Sequence, residues 1–137
     1  PSNIPTRAAG ITRAQKQMLK LLLLHPTLLD NGEVCATLEG IDFAAAPLAT
    51  VQHWLLEREE QWISEAETLR DDANIRLPQQ AMEENLMLVW QQLVDGMTLA
   101  QIEAEIQLLQ SAVTEETLQQ IQALKMEKEA LLQRQFA

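Results

Sequence analysis

Residues Arg13-Ala-Gln-Lys-Gln-Met-Leu-Lys-Leu-Leu-Leu-Leu-His-Pro-Thr-Leu-Leu-Asp30 decide the fold. They follow Thr12, whose spacing to Gln15 fits a capping box, in which each side chain satisfies an amide left over at a helix start. Pro26 disfavours helical geometry at His25 and ends the helix there. Leu21 to Leu24 are apolar on every face of their turn, so the helix is expected deep in a core. Arg7, Arg13, Lys16 and Lys20 precede or border that run with no acid among residues 7–20, and are expected to project from the first turns.

Working outward, Thr27 to Asp30 predicts a short second helix stopped by Asn31-Gly32, and Glu33 to Leu38 another turn or two. Gly40 to Ala46 reads as a connection anchored by the Phe43 ring. Pro47 suits a first helical position, where a missing amide costs nothing. Leu48, Val51, Leu55 and Trp62 follow at spacings of three, four and seven, which predicts one apolar stripe. The opposite face would carry Glu57, Arg58, Glu60 and Gln61. Ser64 to Arg70 continues or restarts this helix, Asp71 to Asn74 is a loop, and Pro78 opens the next helix.

Met82, Leu86, Val89 and Leu93 form one further stripe, and Leu99, Ile102, Ile106 and Leu109 a second, with Asp95-Gly96 between them. A glycine inside a helix costs about 1 kcal/mol, too little to break a long amphipathic run. The pattern therefore favours one long helix over about 79–111, the alternative being a break at 95–98 recapped by Thr98. Ser111 to Val113 is a turn, and Thr114 caps a final helix whose first turn holds Glu115 and Glu116. Leu118, Ile121, Leu124, Leu131 and Leu132 make its apolar face, with Lys125, Lys128 and Arg134 toward its C-terminal end. The expected class is all-α: a linker over 1–11, a helical bundle over 12–98 and a C-terminal helical hairpin over 99–137. A two-helix hairpin has no third layer, so its stripe must dock on its own body or on a partner.

Composition bounds the function. The 137 residues include four glycines, no tyrosine and 4% aromatics, which argues against a hairpin-rich β protein. A net charge of −10 opposes binding to a phosphate backbone, so no direct nucleic-acid contact is expected. Residues 57–72 concentrate the acids Glu57, Glu59, Glu60, Glu65, Glu67, Asp71 and Asp72 against Arg58 and Arg70. Cys35 stands alone, so neither an intramolecular disulfide nor a cysteine zinc site is available, and a reducing cytoplasmic location is expected. The longest apolar run, Leu21 to Leu24, is far short of the roughly 20 residues a membrane span needs. The Pro-Ser-Asn start reads as a piece of a longer chain, with Pro1 to Gly10 as linker.

No catalytic constellation emerges. His25 and His53 lack a second histidine or cysteine at ligand spacing, and Ser2, Ser64 and Ser111 lack a histidine partner in recognisable context. His25 reads as a helix-end residue, His53 as a boundary residue and Cys35 as a small buried apolar one. The glycines are too scattered to cradle a phosphate. The expectation is a fragment with no active site, cofactor or metal. The basic start of the first helix is either solubility charge on an acidic protein or an anchor for a carboxylate-rich peptide.

The Arg13–Asp30 segment resembles the opening of the C-terminal helicase-binding domain of bacterial DNA primase, where a basic stretch leads into a leucine-rich helix and an (Asn/His)-Pro-x-Leu step. Leu38-Glu39-Gly40-Ile41-Asp42, the helix from 47, the long helix and the Glu/Leu/Lys/Gln-rich terminal helix follow in the family's order, so the likeness covers roughly 12–135. The resemblance implies a non-catalytic module whose C-terminal hairpin docks on the N-terminal domain of the hexameric replicative helicase and recruits primase to the fork. Carried onto this chain, the docking face would draw on Ile121, Gln122, Lys125, Met126, Glu129 and Leu132. The family's domain can also bind the acidic C-terminal tail of single-stranded DNA-binding protein, which here would draw on Arg13, Lys16, Met18 and Lys20. The family's catalytic and zinc-binding domains lie upstream of this module. The N-terminal domain of the helicase itself has a related helical fold and is the alternative, expected to form trimers or larger rings alone. A generic helical adaptor would instead dimerise through the 99–109 stripe. The final helix departs from the family in having no tryptophan.

Overall fold

A computed structural model describes residues 3–43, 45–78, 83–111 and 114–136. The fold is all-α, with no strand among the described residues. Helices α1 (Asn3–Leu24), α2 (Gly32–Gly40), α3 (Ala46–Leu56), α4 (Ser64–Asp71), α5 (Leu86–Gln110) and α6 (Glu115–Phe136) follow in order, with 3-10 turns at Pro26–Asp30 and Glu83–Asn85. The chain divides into two compact units: Thr12–Leu93, and Pro1–Ile11 together with Val94–Ala137.

In the Thr12–Leu93 unit, α1 supplies the centre of the core. Met18, Leu19, Leu21 and Leu22 are fully buried and Leu23 nearly so. Leu24 emerges at the helix end, 44% exposed. Val34 and Leu38 from α2, Val51, Trp54 and Leu55 from α3, and Val89 and Trp90 from the start of α5 are buried with it, as is the Phe43 ring of the connection. The polar residues of α1 tie it to connecting segments. The Gln15 amide donates to Asp42 O at 3.2 Å and the Gln17 amide to Arg76 O at 2.8 Å. The Lys20 ammonium donates to Asp72 O at 2.6 Å and Ile75 O at 2.9 Å. The buried Gln52 amide donates to Leu38 O at 2.7 Å and Ile41 O at 3.0 Å, joining the end of α2 to α3. Such bonds supply further donors to carbonyls at helix ends and in loops, which helical bonding leaves under-satisfied.

Three boundaries differ from the sequence reading. First, α1 begins at Asn3, so Thr12 lies inside the helix and residues 3–11 are helical rather than linker. Pro5 falls in the first turn, where its missing amide breaks no bond. Second, α3 stops at Leu56, not at Trp62. Arg58 adopts a left-handed conformation (φ 57°) and its N–H donates to Leu55 O at 3.2 Å, a helix-ending turn usually made by glycine. The chain then folds back, and Gln61 O accepts from Trp54 Nε1 at 2.9 Å. Trp54, rather than Trp62, belongs to the buried stripe of α3, while Trp62 leans on it with ring centroids 4.9 Å apart. Third, Asn31 does not merely stop the preceding turn: its side-chain oxygen accepts from Glu33 N at 2.8 Å and caps α2. Ser64 restarts a separate helix, α4, that buries Ala66 and Leu69.

Helix α5 runs unbroken through Asp95 and Gly96, as the favoured reading of the two stripes has it. Thr98 recaps nothing; its hydroxyl donates to Val94 O at 3.0 Å within the helix. The long helix starts later than expected: Glu83–Asn85 form a 3-10 turn and α5 begins at Leu86, while Gln79, the stripe position Met82, and Ala112 and Val113 of the expected turn lie outside the described residues. In the Val94–Ala137 portion, α5 and α6 form an antiparallel hairpin across residues 111–114. Thr114 caps α6 reciprocally: Thr117 N donates to Thr114 Oγ1 at 3.2 Å and Thr114 N to Thr117 Oγ1 at 2.7 Å. The seam holds Ile102, Ile106 and Ile121, flanked by Leu109, Leu124 and Leu131.

Candidate functional site

On the hairpin, the apolar seam faces inward. Ile121 packs there against Ile102 and Ile106, so it is buried and offers nothing to a partner, contrary to its expected place on the docking face. Its spacing of three to Leu124 and ten to Leu131 aligns it with the inner stripe. Leu132 is half-buried. The other expected docking residues, Gln122, Lys125, Met126 and Glu129, are exposed on α6, and their spacings of three, one and three put them on one face. Met126 is 74% exposed, a large apolar side chain almost wholly in water. Leu118, 48% exposed, lies one turn before Gln122 on the same helix, and Leu108 stands exposed near the end of α5.

Two ion pairs join the arms of the hairpin. Lys128 Nζ lies 3.1 Å from Glu103 Oε1, a part-exposed contact worth little alone. Arg134 grips Asp95 with a two-pronged guanidinium fork; its Nε donates to Oδ2 at 3.0 Å and its Nη2 to Oδ1. The Asp95 carboxylate is buried while Arg134 is partly in water. Bidentate arginine–carboxylate pairs combine energy with geometric specificity. Sequence reading took Asp95 as half of a potential break and missed this clamp, since a contact between residues 39 apart leaves no local pattern.

The basic face of α1 is only partly available. Arg13 is exposed and Lys16 half-buried, but Met18 is fully buried in the core and cannot line a peptide site. Its spacing of three and four to Leu21 and Leu22 places it on the inner face. Lys20 is committed to the carbonyls of Asp72 and Ile75. Lys16 lines a groove of about 440 Å³ whose apolar wall includes Pro47, Leu48, Val51 and Leu69. Glu65 and Asp72 line the same groove, so a carboxylate entering it meets both signs of charge.

Elsewhere, His25 closes α1 through its backbone N–H, which donates to Leu21 O at 2.9 Å, and His53 is exposed. Cys35 is half-buried, its thiol donating to Leu29 O at 3.0 Å. The exposed Asp71 carboxyl sits below its ordinary range because the Arg70 guanidinium hydrogen-bonds it at 2.9 Å. Among the described residues, no group of three or more His, Cys, Asp or Glu side chains is placed to hold a metal, and no helix is long and apolar enough to cross a membrane. Comparison with family models, curated proteins and solved structures found no match to the chain.

Proposed function

We propose that this chain is a non-catalytic interaction domain of the DNA-primase type, whose C-terminal hairpin binds the N-terminal domain of a hexameric replicative helicase and so recruits primer synthesis to the fork. The observation that carries the reading is Met126, exposed on the outer face of a hairpin whose inner face is already occupied by Ile102, Ile106 and Ile121. An apolar side chain ringed by Gln122, Lys125 and Glu129 suits a small interface with a polar rim. The internal use of the 99–109 stripe weighs against an adaptor that dimerises through it. A two-helix face falls at or below the standard buried area of about 1,600 Å², so each contact is modest and several copies on one hexamer gain by proximity.

The test mixes the chain with a helicase N-terminal domain and follows sedimentation. A complex is expected at concentrations on the order of tens of micromolar, and its absence overturns the reading. Met126→Glu is expected to weaken that complex about tenfold, which is about 1.4 kcal/mol.

The Lys16 groove favours a second activity, capture of an acidic peptide tail such as that of single-stranded DNA-binding protein, through apolar contact with the exposed Pro47 and a charge contact at Lys16. Charge reversal at Lys16 is expected to weaken capture of an acidic peptide by about fivefold or more, and added salt to do likewise. Unchanged peptide affinity in Lys16→Glu, measured by fluorescence anisotropy, removes this activity. Lys20→Glu is the poorer probe, because it also removes the ammonium donor shared by two loop carbonyls.

A further inference from the structure

The C-terminal ends of two helices converge on a small apolar pocket in the Thr12–Leu93 unit. Its walls are Leu22, Leu23, Leu29 and Leu55 with the rings of Trp54 and Trp62, and the exposed Arg58 and Glu59 also line it. Leu22 and Leu23 belong to the last turn of α1, and Trp54 and Leu55 to the last turn of α3. Each helix C-terminus carries about half a negative charge. Glu57, Glu59 and Glu60 in the following loop are all exposed. Among the described residues, the cation that lines the pocket is Arg58, and it is offset by Asp30, whose carboxylate lies 3.0 Å from its guanidinium.

The pocket measures about 110 Å³, room for one side chain and far below the roughly 300 Å³ or more of a small-molecule site. Its interior is apolar and its surroundings negative, so the complementary group has a methylene stem and a cationic head. The indoles add a preference for guanidinium, which stacks on aromatic faces. Trp62 already does so within the chain: the Arg70 guanidinium carbon sits 4.6 Å from its ring centroid, and the ring remains 38% exposed.

We propose that this pocket receives one arginine side chain from a basic segment of a partner protein, its methylenes against Leu29 and Leu55 and its guanidinium between the Trp62 ring and Glu59. This surface is separate from the residues invoked for the hairpin and for the Lys16 groove, and stands or falls without them. The acids of residues 57–60 steer the segment, and the pocket fixes its register.

The experiment titrates the isotopically labelled full chain with a hexa-arginine peptide at about 0.15 M salt, where long-range attraction is screened. The indole N–H signals of Trp54 and Trp62 are expected to move while that of the buried Trp90 stays. Glu59→Lys is expected to weaken binding about tenfold, whereas Glu127→Lys, the same charge change at an exposed position on α6, alters it less than about twofold. Indole signals that stay in place, or equal weakening by the two variants, would overturn the proposal, the second by reducing the attraction to net charge.

Discussion

Deletion of residues 114–137 is expected to abolish capture of the helicase N-terminal domain while leaving the Thr12–Leu93 unit folded. The deletion removes α6 and with it Met126, Leu118 and the polar rim invoked for docking. It also uncovers Ile102 and Ile106, so the truncated chain should carry Ile102→Gln and Ile106→Gln to keep the exposed half of α5 from self-associating. The remaining unit keeps a core of its own in Leu21, Leu22, Val34, Leu38, Val51 and Trp90. All three tryptophans, Trp54, Trp62 and Trp90, lie within it, so their fluorescence reports its folding without interference from the hairpin. The expected result is a cooperative urea transition in tryptophan fluorescence and no sedimenting complex. A truncated chain that still binds places the docking surface elsewhere.

Leu22→Ala is expected to destabilise the Thr12–Leu93 unit by about 2–5 kcal/mol. Leu22 is fully buried among other fully buried residues of the same helix, so the lost methyl groups leave a cavity as well as a transfer deficit. Against a total stability of about 5–15 kcal/mol, that shift moves the urea midpoint far and can unfold a marginal domain outright. Leu24→Ala, two residues on and partly in water, is the matched control and should cost about 1 kcal/mol or less. A Leu22→Ala loss no larger than that of Leu24→Ala would mean that the end of α1 is not the centre of the core.

The leucine quartet of α1 is where sequence reading reached furthest. Apolar residues on every face demand burial, and three of the four are buried. The Thr114 cap and the continuity of α5 were legible for the same reason, since caps and stripes are local signals. Two errors were also local and avoidable. Met18 sits at three- and four-residue spacings from the buried Leu21 and Leu22, and Ile121 lies in the apolar stripe of α6 with Leu124 and Leu131, so their own helices assign them inward. The end of α3 was hidden because a non-glycine, Arg58, adopts the left-handed turn, and without that stop Trp62 looked like the next rung of a stripe. The start of α1 was misplaced because Gly10 and Pro5 read as linker, while a proline in a first turn is compatible with a helix. The engagement of Lys20 with Asp72 and Ile75, and of Arg134 with Asp95, depends on contacts across 39 residues or more, which no periodicity encodes. The first of these commits a lysine that charge alone had marked for a peptide site.

The Arg134 fork on Asp95 has a consequence for how the hairpin presents itself. Contact along the isoleucine and leucine seam is non-directional, so a fixed point is needed to define how far α6 can slide, for example by one helical turn of about 5.4 Å. The same slide would bring Ala130 opposite Asp95 and strand a buried carboxylate away from its guanidinium. Apolar contact thus glues the two arms, and the charged pair adds a directional contact that holds one alignment. Whatever meets the outer surface of α6 therefore finds Gln122 and Met126 each at a fixed height along α5, because a carboxylate on the opposite arm indexes them there.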